Sequence, residues 1–212
     1  MMRIHTAKTS PAGKRVRICA AELGVELEPL FLDIPNNEQR SPGYLAMNPM
    51  GKFPTLLDGD LVLWESAAIL CHLAQTSPNG DKLYPRDPMR QADTLRWLFF
   101  GACHLDAYFT MLVVERFIKA RQGLPPDEAV VASAGQSLAR FMPVVDQQLA
   151  RREYLTGAFS LADIALGCTL ELTSLVRYDD TPLPNVRAWL ERLHARGSWR
   201  GASPEAFPQA VA

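Results

Sequence analysis

Residues 48–66 read N-P-M-G-K-F-P-T-L-L-D-G-D-L-V-L-W-E-S, and they combine a strand start, a tight hairpin and a helix start. Pro54 has no backbone N–H, so it is expected at the first residue or on the edge of a strand. The β-type runs Thr55–Asp58 and Leu61–Trp64 flank an Asp-Gly dipeptide, which is a strong hairpin signal. The sequence therefore predicts a hairpin over residues 55–64.

A helix is predicted directly after this hairpin, with an acid and a hydroxyl, Glu65 and Ser66, at its start. The first N–H groups of a helix are unpaired and its dipole is positive there, so helix starts bind anions. The run is thus compatible with a site that presents a carboxylate beside an anion-binding helix end. An ordinary hairpin-to-helix connection with normal capping gives the same pattern, and both interpretations stay open.

Size and composition indicate a globular protein with one generous domain or two small ones. The chain has 212 residues, of which 48% are hydrophobic and 21% charged, with a net charge of −1. Neither sign of charge dominates, which argues against nucleic acid or an anionic membrane as a partner. We see no apolar stretch near the ~20 residues of a membrane span and no signal-peptide core, and therefore expect a cytoplasmic protein without membrane contact.

The cysteines and histidines do not form recognisable metal or disulfide patterns. The four cysteines are far apart, so we expect free thiols that act as small buried hydrophobic side chains. The four histidines show no ligand spacing, and no metal site is predicted. These residues are Cys19, Cys71, Cys103 and Cys168, and His5, His72, His104 and His194.

The first part of the chain, to about residue 76, alternates strand-like and helix-like runs in the order β-α-β-α-β-β-α. Strands are expected at residues 4–6 and 25–34, with a helix over residues 11–23 that Gly24 closes. Ser41 and Pro42 are typical of a helix start. The basic residues at positions 14, 15 and 17 are interpreted as a solvated helix face.

The second part of the chain is predicted to be helical. Apolar residues recur at intervals of three and four over residues 90–121, and Asp127 is expected to cap the next helix. Pro143 predicts a kink near residues 139–142, and Ser160 to Asp163 form a capping box. The last clear helix is expected to start near Pro184 and to end by Gly197. The breakers between the two parts give predicted boundaries of 1–77, a linker at 78–88, and 89–212.

Four segments resemble the cytosolic glutathione transferase superfamily, in its serine-type, theta-like or related bacterial form. The resemblance covers most of the chain and is most specific in the first half. It implies an α/β thioredoxin-like N-terminal domain followed by an all-α C-terminal domain. The segments are T-S-P leading into K-R-V-R-I at residues 9–18, N-P-M-G-K-F-P-T-L at 48–56, L-W-E-S-A-A-I at 63–69, and Y-L-T-G-A-F-S-L-A-D at 154–163.

The resemblance assigns the two ends of the 48–66 run to parts of glutathione. It implies a cis bond before Pro54, with the backbone N–H and C=O of Phe53 turned toward the cysteinyl part. Glu65 would pair with the γ-glutamyl ammonium, and Ser66 would bind the carboxylate of that same residue.

The glycyl carboxylate at the other end of glutathione needs cationic or amide donors. Lys52, Gln39 and Arg40 match positions that serve this role in theta-like members, with Lys52 the strongest candidate. For Gln39 and Arg40 a solvated surface role is an equal alternative.

Catalysis by this family requires a thiolate. A thiol with a pKa of ~8.5 is only a few per cent ionised at neutral pH. A hydroxyl at the start of the first helix lowers that pKa by a hydrogen bond together with the helix dipole. By resemblance Ser10 has this role, Thr9 and Thr6 are its competitors, and Ser10 is at the same time the expected N-cap of the helix.

The electrophile is expected to lie against the long second-domain helix. His104 and Tyr108 are the candidates for this contact, and Trp97 and Gly101 share their helical spacing. Core packing or a dimer interface is the alternative for each of them.

Taken together, these features predict a homodimeric enzyme that adds glutathione, as cosubstrate and without a metal, to a small hydrophobic electrophile. The resemblance places the first domain of one subunit against the second domain of the other. The alternatives are a non-catalytic binding or assembly module, which would tend to lose Glu65 and Ser66, and a glutathione-dependent reductase or dehalogenase.

Overall fold

The computed structural model describes residues 1–202. These residues form two compact units, one of residues 1–86 with the helix Gly197–Ala202, the other of residues 87–196. The division after Arg86 and the return of the last described helix to the first unit differ from the predicted boundaries at 77 and 89.

The first unit is built on a four-stranded mixed sheet. Strand β1 lies in the middle, parallel to β2 and antiparallel to β3, and β3 pairs antiparallel with β4, giving the order β2-β1-β3-β4. The strands are β1 Met2–Thr6, β2 Leu27–Phe31, β3 Thr55–Asp58 and β4 Leu61–Trp64. The predicted hairpin is confirmed.

Three helices of the first unit follow the strands as the sequence predicted. They are α1 Pro11–Leu23, α2 Pro42–Met47 and α3 Ser66–Thr76. Gly24 closes α1 with a φ of 69°, and Ser41 caps α2 by accepting a hydrogen bond from the Tyr44 N–H at 3.3 Å. Strand β2 is shorter than predicted because the N–H of Val25 is used to close α1 on the carbonyl of Ala20, at 2.9 Å.

The second unit is helical, as predicted. It contains α4 Pro88–Gly101, α5 Ala107–Val113, α6 Lys119–Arg121, α7 Glu128–Leu149, α8 Leu161–Leu170, α9 Leu172–Leu175 and α10 Pro184–His194. Two π-helical segments, Ala102–Asp106 and Val114–Ile118, join α4, α5 and α6 into one helix. Asp127 caps α7, as predicted, and the helix assignment of α7 continues through Pro143.

Among the described residues, the long helix Pro88–Arg121 passes a test of length and composition for a membrane span. It has 34 residues and contains an 18-residue window with a mean hydropathy of 1.5, so by length and composition it is able to cross a membrane. A single such helix is weak evidence, since core helices of water-soluble proteins pass the same test. Asp106 within this helix accepts a hydrogen bond from the Thr169 hydroxyl of α8 at 2.6 Å.

Asp163 holds the second unit together through four hydrogen bonds. One carboxylate oxygen accepts from the Leu155 N–H at 2.9 Å and the Trp189 indole at 3.0 Å. The other accepts from the N–H and the hydroxyl of Ser160, at 2.9 and 3.1 Å, which confirms the predicted capping box. Burial raises the pKa of Asp163 to about 6, and the hydrogen bonds oppose that rise.

The helix predicted to start near Pro184 and to end by Gly197 is confirmed as α10, but it is not the last helix. Gly197 begins α11 Gly197–Ala202, whose Trp199 is buried with the Lys14 ammonium 5.6 Å from its ring centroid. The cysteines are free, as predicted, but only Cys19 and Cys168 are buried, whereas Cys103 is exposed.

Candidate active site

Ser10 is the N-cap of α1 and is buried. Its Oγ accepts a hydrogen bond from the Gly13 N–H at 3.0 Å, and its carbonyl accepts from the Lys14 N–H at 2.8 Å. A serine hydroxyl that accepts one bond keeps its own proton to donate. The residue therefore offers a donor at the positive end of a helix, as thiol activation requires.

The competitors of Ser10 lie in different surroundings. Thr9 is exposed in the turn before α1. Thr6 is fully buried on β1, and its hydroxyl donates to the Ala7 carbonyl at 3.4 Å. A Cβ on Gly13 would come within 1.9 Å of the Thr6 Oγ1, so only glycine lets α1 approach β1 this closely.

Phe53 lies between Lys52, whose carbonyl accepts two hydrogen bonds, and the start of β3 at Thr55. Its bond to Pro54 is cis, as the resemblance implied. Within residues 1–202 its own backbone N–H and C=O form no hydrogen bond, although the residue is half-buried. Unpaired backbone groups at such a position are suited to pairing with an extended peptide.

The carbonyl of Lys52, one residue earlier, is held from two sides. It accepts hydrogen bonds from the Tyr44 hydroxyl at 2.6 Å and from the Asn48 side-chain amide at 2.8 Å. The Thr55 hydroxyl lies 2.9 Å from the Tyr44 hydroxyl and 3.2 Å from the Asn48 amide. Sequence reasoning missed Tyr44 in this role, because nothing in its local pattern points to a residue eight positions away.

Glu65 and Ser66 begin α3 in a special backbone geometry. Glu65 has a φ of 72°, in the left-handed region that non-glycine residues rarely adopt, and its side chain is exposed. The Ser66 hydroxyl is buried and accepts a hydrogen bond from the Arg15 guanidinium at 3.2 Å. An anion at this helix start therefore meets a hydroxyl, free N–H groups and a nearby guanidinium.

Arg15 is a second functional candidate that sequence reasoning missed. It was interpreted as part of a solvated basic face, but its exposed fraction is 7%, and that of Lys14 is 9%. The five-residue spacing from Ser10 places it one turn into α1, where the packing of α1 on α3 brings it to Ser66.

The proposed donors for the glycyl carboxylate lie near one another in the first unit. Arg40 donates to the Met50 carbonyl at 3.5 Å, and a Cβ on Gly51 would come within 2.9 Å of its guanidinium. Arg40 and Lys52 are exposed cations, and Gln39 is half-buried with its side-chain oxygen unpaired.

His104 and Tyr108 lie in the helical unit, where both contact Phe141 of α7. The ring centroids are 4.8 Å apart for His104 and 6.2 Å apart for Tyr108. His104 is exposed and Tyr108 half-buried, so both retain surface for a ligand. Trp97 and Gly101, which share their spacing, are instead buried.

No cluster of three or more histidine, cysteine, aspartate or glutamate side chains able to hold a metal ion occurs in the described part of the chain.

Two family models match the chain. The glutathione S-transferase N-terminal domain matches residues 2–75, and the corresponding C-terminal domain matches residues 128–192. Glutathione S-transferase F10 of Arabidopsis thaliana is 32% identical over 197 residues, with 91% of this chain and 92% of the relative covered. The chain belongs to the glutathione S-transferase family. Glutathione is accordingly its cosubstrate, and the thioredoxin-like domain with a helical domain is the fold of this family.

Solved structures of this family share the fold. Glutathione transferase F7 of Populus trichocarpa superposes with a TM-score of 0.87 at 23% identity, covering 98% of this chain and all of that one. Glutathione S-transferase-I bound to lactoylglutathione superposes with a TM-score of 0.84 at 26% identity, covering 95% and 98%. Relatives from plants do not single out the theta-like or bacterial class that the sequence suggested.

Proposed function

We propose that the protein is a serine-type glutathione transferase in which Ser10 activates the thiol of glutathione for addition to a small hydrophobic electrophile. The observation that carries this proposal is the Ser10 hydroxyl, buried at the positive end of α1 with its proton available.

Glutathione is proposed to bind in an extended form along the first unit. Its γ-glutamyl end meets Glu65 and Ser66, the latter supported by Arg15. Its cysteinyl part pairs with the unpaired backbone of Phe53, next to Pro54. Lys52, with Arg40 and Gln39 beside it, receives the glycyl carboxylate.

The chemical step follows from the position of Ser10. Its hydroxyl donates to the cysteinyl sulfur and stabilises the thiolate, so the thiol proton is lost to water. Lowering the thiol pKa by about two units, worth roughly 2.7 kcal/mol, makes most of the bound glutathione reactive at neutral pH. The thiolate forms a carbon–sulfur bond with the electrophile, and a leaving group departs with its electron pair.

The proposed electrophile contacts are His104 and Tyr108. Both present ring surface next to Phe141, which suits an apolar or aromatic electrophile. A cytoplasmic location and a homodimer are part of the same proposal. The dimer is supported by the exposed apolar side chains of the edge strand β4, Leu61, Val62 and Trp64.

The test combines binding and turnover with one variant. The wild type should be retained on immobilised glutathione and should conjugate 1-chloro-2,4-dinitrobenzene. Ser10→Ala should keep the retention while the conjugation rate at pH 7 falls about 25-fold, because a thiol pKa of ~8.5 in place of ~6.5 lowers the thiolate fraction from roughly three quarters to about 3%. Thr9→Ala is the matched control and should keep the wild-type rate.

An unchanged rate in Ser10→Ala would remove this residue from the mechanism. Retention without turnover across a broad electrophile panel would instead favour a non-catalytic binding module. Turnover of disulfides or alkyl halides alone would favour a reductase or dehalogenase.

A further inference from the structure

We propose that Tyr44 and Asn48 are positioning residues that aim the Phe53 N–H at the cysteinyl carbonyl of glutathione. This inference rests on the proposed function. It concerns two side chains that lie behind the binding segment and do not touch the ligand.

One peptide group, between Lys52 and Phe53, sets the direction of the Phe53 N–H. The Lys52 carbonyl and the Phe53 N–H belong to the same planar trans peptide, so they point in opposite directions. The Tyr44 hydroxyl and the Asn48 amide hold the carbonyl oxygen toward the interior, at 2.6 and 2.8 Å. Fixing the oxygen on one side fixes the direction of the N–H on the other.

The hydrogen bonds around the Lys52 carbonyl oxygen are saturated. The Lys52 oxygen has two lone pairs, and each receives one donor. Because the Tyr44 proton goes to Lys52, the Thr55 hydroxyl must donate to Tyr44 and accept from Asn48. Tyr44, Asn48 and Thr55 have exposed fractions of 3%, 2% and 0%, so water does not compete for these bonds.

Tyr44, Asn48 and Thr55 are connected to the sheet of the first unit and to the loop that follows Asn48. Thr55 begins β3 and pairs with His5 of β1, and the His5 ring lies edge-on to the Tyr44 ring at 5.8 Å. The Asn48 side-chain oxygen accepts from the Met50 N–H at 3.1 Å. Burial raises the pKa of Tyr44, which keeps its hydroxyl protonated as a donor.

The fixed Lys52–Phe53 peptide favours glutathione binding because its N–H is already oriented. The Phe53 N–H, aimed outward, has no partner among residues 1–202. Without the Tyr44 bond the Lys52–Phe53 peptide gains freedom to rotate, and that freedom has to be removed when glutathione binds. The cluster therefore contributes affinity through preorganisation.

The experiment compares Tyr44→Phe with Tyr84→Phe by calorimetric titration of two ligands. Tyr84 is also a buried tyrosine of the first unit, and its hydroxyl pairs with Cys71 away from Lys52. The ligands are glutathione and its analogue in which the cysteinyl carbonyl is a thiocarbonyl, a weaker hydrogen-bond acceptor.

Tyr44→Phe should weaken glutathione binding about three- to tenfold, the range expected for one hydrogen bond. The KM for glutathione should rise by the same factor, with kcat at saturating glutathione nearly unchanged. The wild type should bind glutathione more tightly than the thiocarbonyl analogue, and this preference should shrink in Tyr44→Phe. Tyr84→Phe should keep both the affinity and the preference.

Thr55→Val provides a second variant should Tyr44→Phe fold poorly, with a smaller loss in the same direction. An equal loss for both ligands would indicate only a structural role and would overturn the proposal, as would an unchanged affinity. A wild type that binds glutathione without distinguishing the analogue would overturn this inference alone. A wild type that binds no glutathione would overturn the proposed function as well.

Discussion

At the scale of single residues, one side chain often serves the fold and the chemistry together. Ser10 caps α1 through its lone pair and keeps its proton for a ligand. Ser66 is arranged in the same way, since its oxygen accepts from Arg15 while its proton remains available. Because the structural bond uses the acceptor and the functional bond uses the donor, neither role excludes the other.

The Arg15–Ser66 contact leads to a residue-scale prediction. Arg15→Lys keeps the charge but loses the planar fork that reaches Ser66 at 3.2 Å. Glutathione should bind about fivefold more weakly, as expected for loss of one charge-assisted hydrogen bond, with a smaller change in kcat. Titration calorimetry with glutathione measures this change.

Arg17→Lys is the matched control, because Arg17 lies on the same helix and donates to the Ala202 carbonyl at 3.1 Å. Equal affinities of wild type and Arg15→Lys would show that Ser66 binds the ligand without help from this guanidinium.

How far the sequence predicts a residue depends on where its partners lie. The Asp-Gly hairpin, the Gly24 cap and the Ser41 cap each depend on a few neighbouring residues, and their locations were predicted correctly. Arg15 was misinterpreted because its burial depends on Ser66, 51 positions away. Long-range packing leaves no local signal on a basic side chain.

At the scale of elements, the strongest example is the capping box of α8. The buried carboxylate of Asp163 accepts four hydrogen bonds, three from the loop at residues 155–160 and one from α10. The sequence predicted its partnership with Ser160, three positions away. The bond from the Trp189 indole was not predicted, since it joins two helices.

Asp163 also gives an element-scale prediction about pH. Its pKa is about 6 when folded, against 3.8 as the ordinary value, so the folded state keeps a proton that the unfolded chain has already lost. This contribution to stability is complete below about pH 4 and is lost as the pH rises through about 6. It amounts to about 3 kcal/mol for a shift of about two units.

Urea unfolding of wild type and Asp163→Asn between about pH 4 and pH 7 tests whether the Asp163 contribution to stability falls as the pH rises. The variant should be less stable throughout, because an amide cannot accept all four bonds, and the stability difference should narrow as the pH rises. Asp60→Asn, at the exposed hairpin, is the control for charge removal alone. If the stability difference between wild type and Asp163→Asn does not change with pH, the raised pKa of Asp163 is contradicted.

At the scale of the whole molecule, the two units divide the chain differently from the breaker-rich segment at 78–88. The first unit extends to Arg86 and includes α11, which packs on α1. The pattern of apolar residues and helix breakers in the sequence predicted the change from mixed α/β to helical structure. It did not reveal the return of residues 197–202, because contact between segments far apart in sequence is invisible in composition.

The proposed homodimer gives the whole-molecule prediction. Light scattering at micromolar concentration should give about twice the chain mass of 23.5 kDa. Val62→Lys should shift the protein toward monomer, because it places a charge on the β4 face, where the exposed fraction of Val62 is 43%. Leu124→Lys, at an exposed apolar position in the helical unit, is the control. A monomeric wild type would rule the dimer out.

The two π-helical segments of the long helix give this chain a tolerance to changes in length. A π turn holds one residue more than an α turn, so removing one residue from Ala102–Asp106 can restore a regular helix without rotating its flanks. The same deletion within α7, which is assigned as α-helix over its whole length, would turn every following side chain by about 100°. Single-residue insertions and deletions among homologous sequences are therefore expected to concentrate at the π turns.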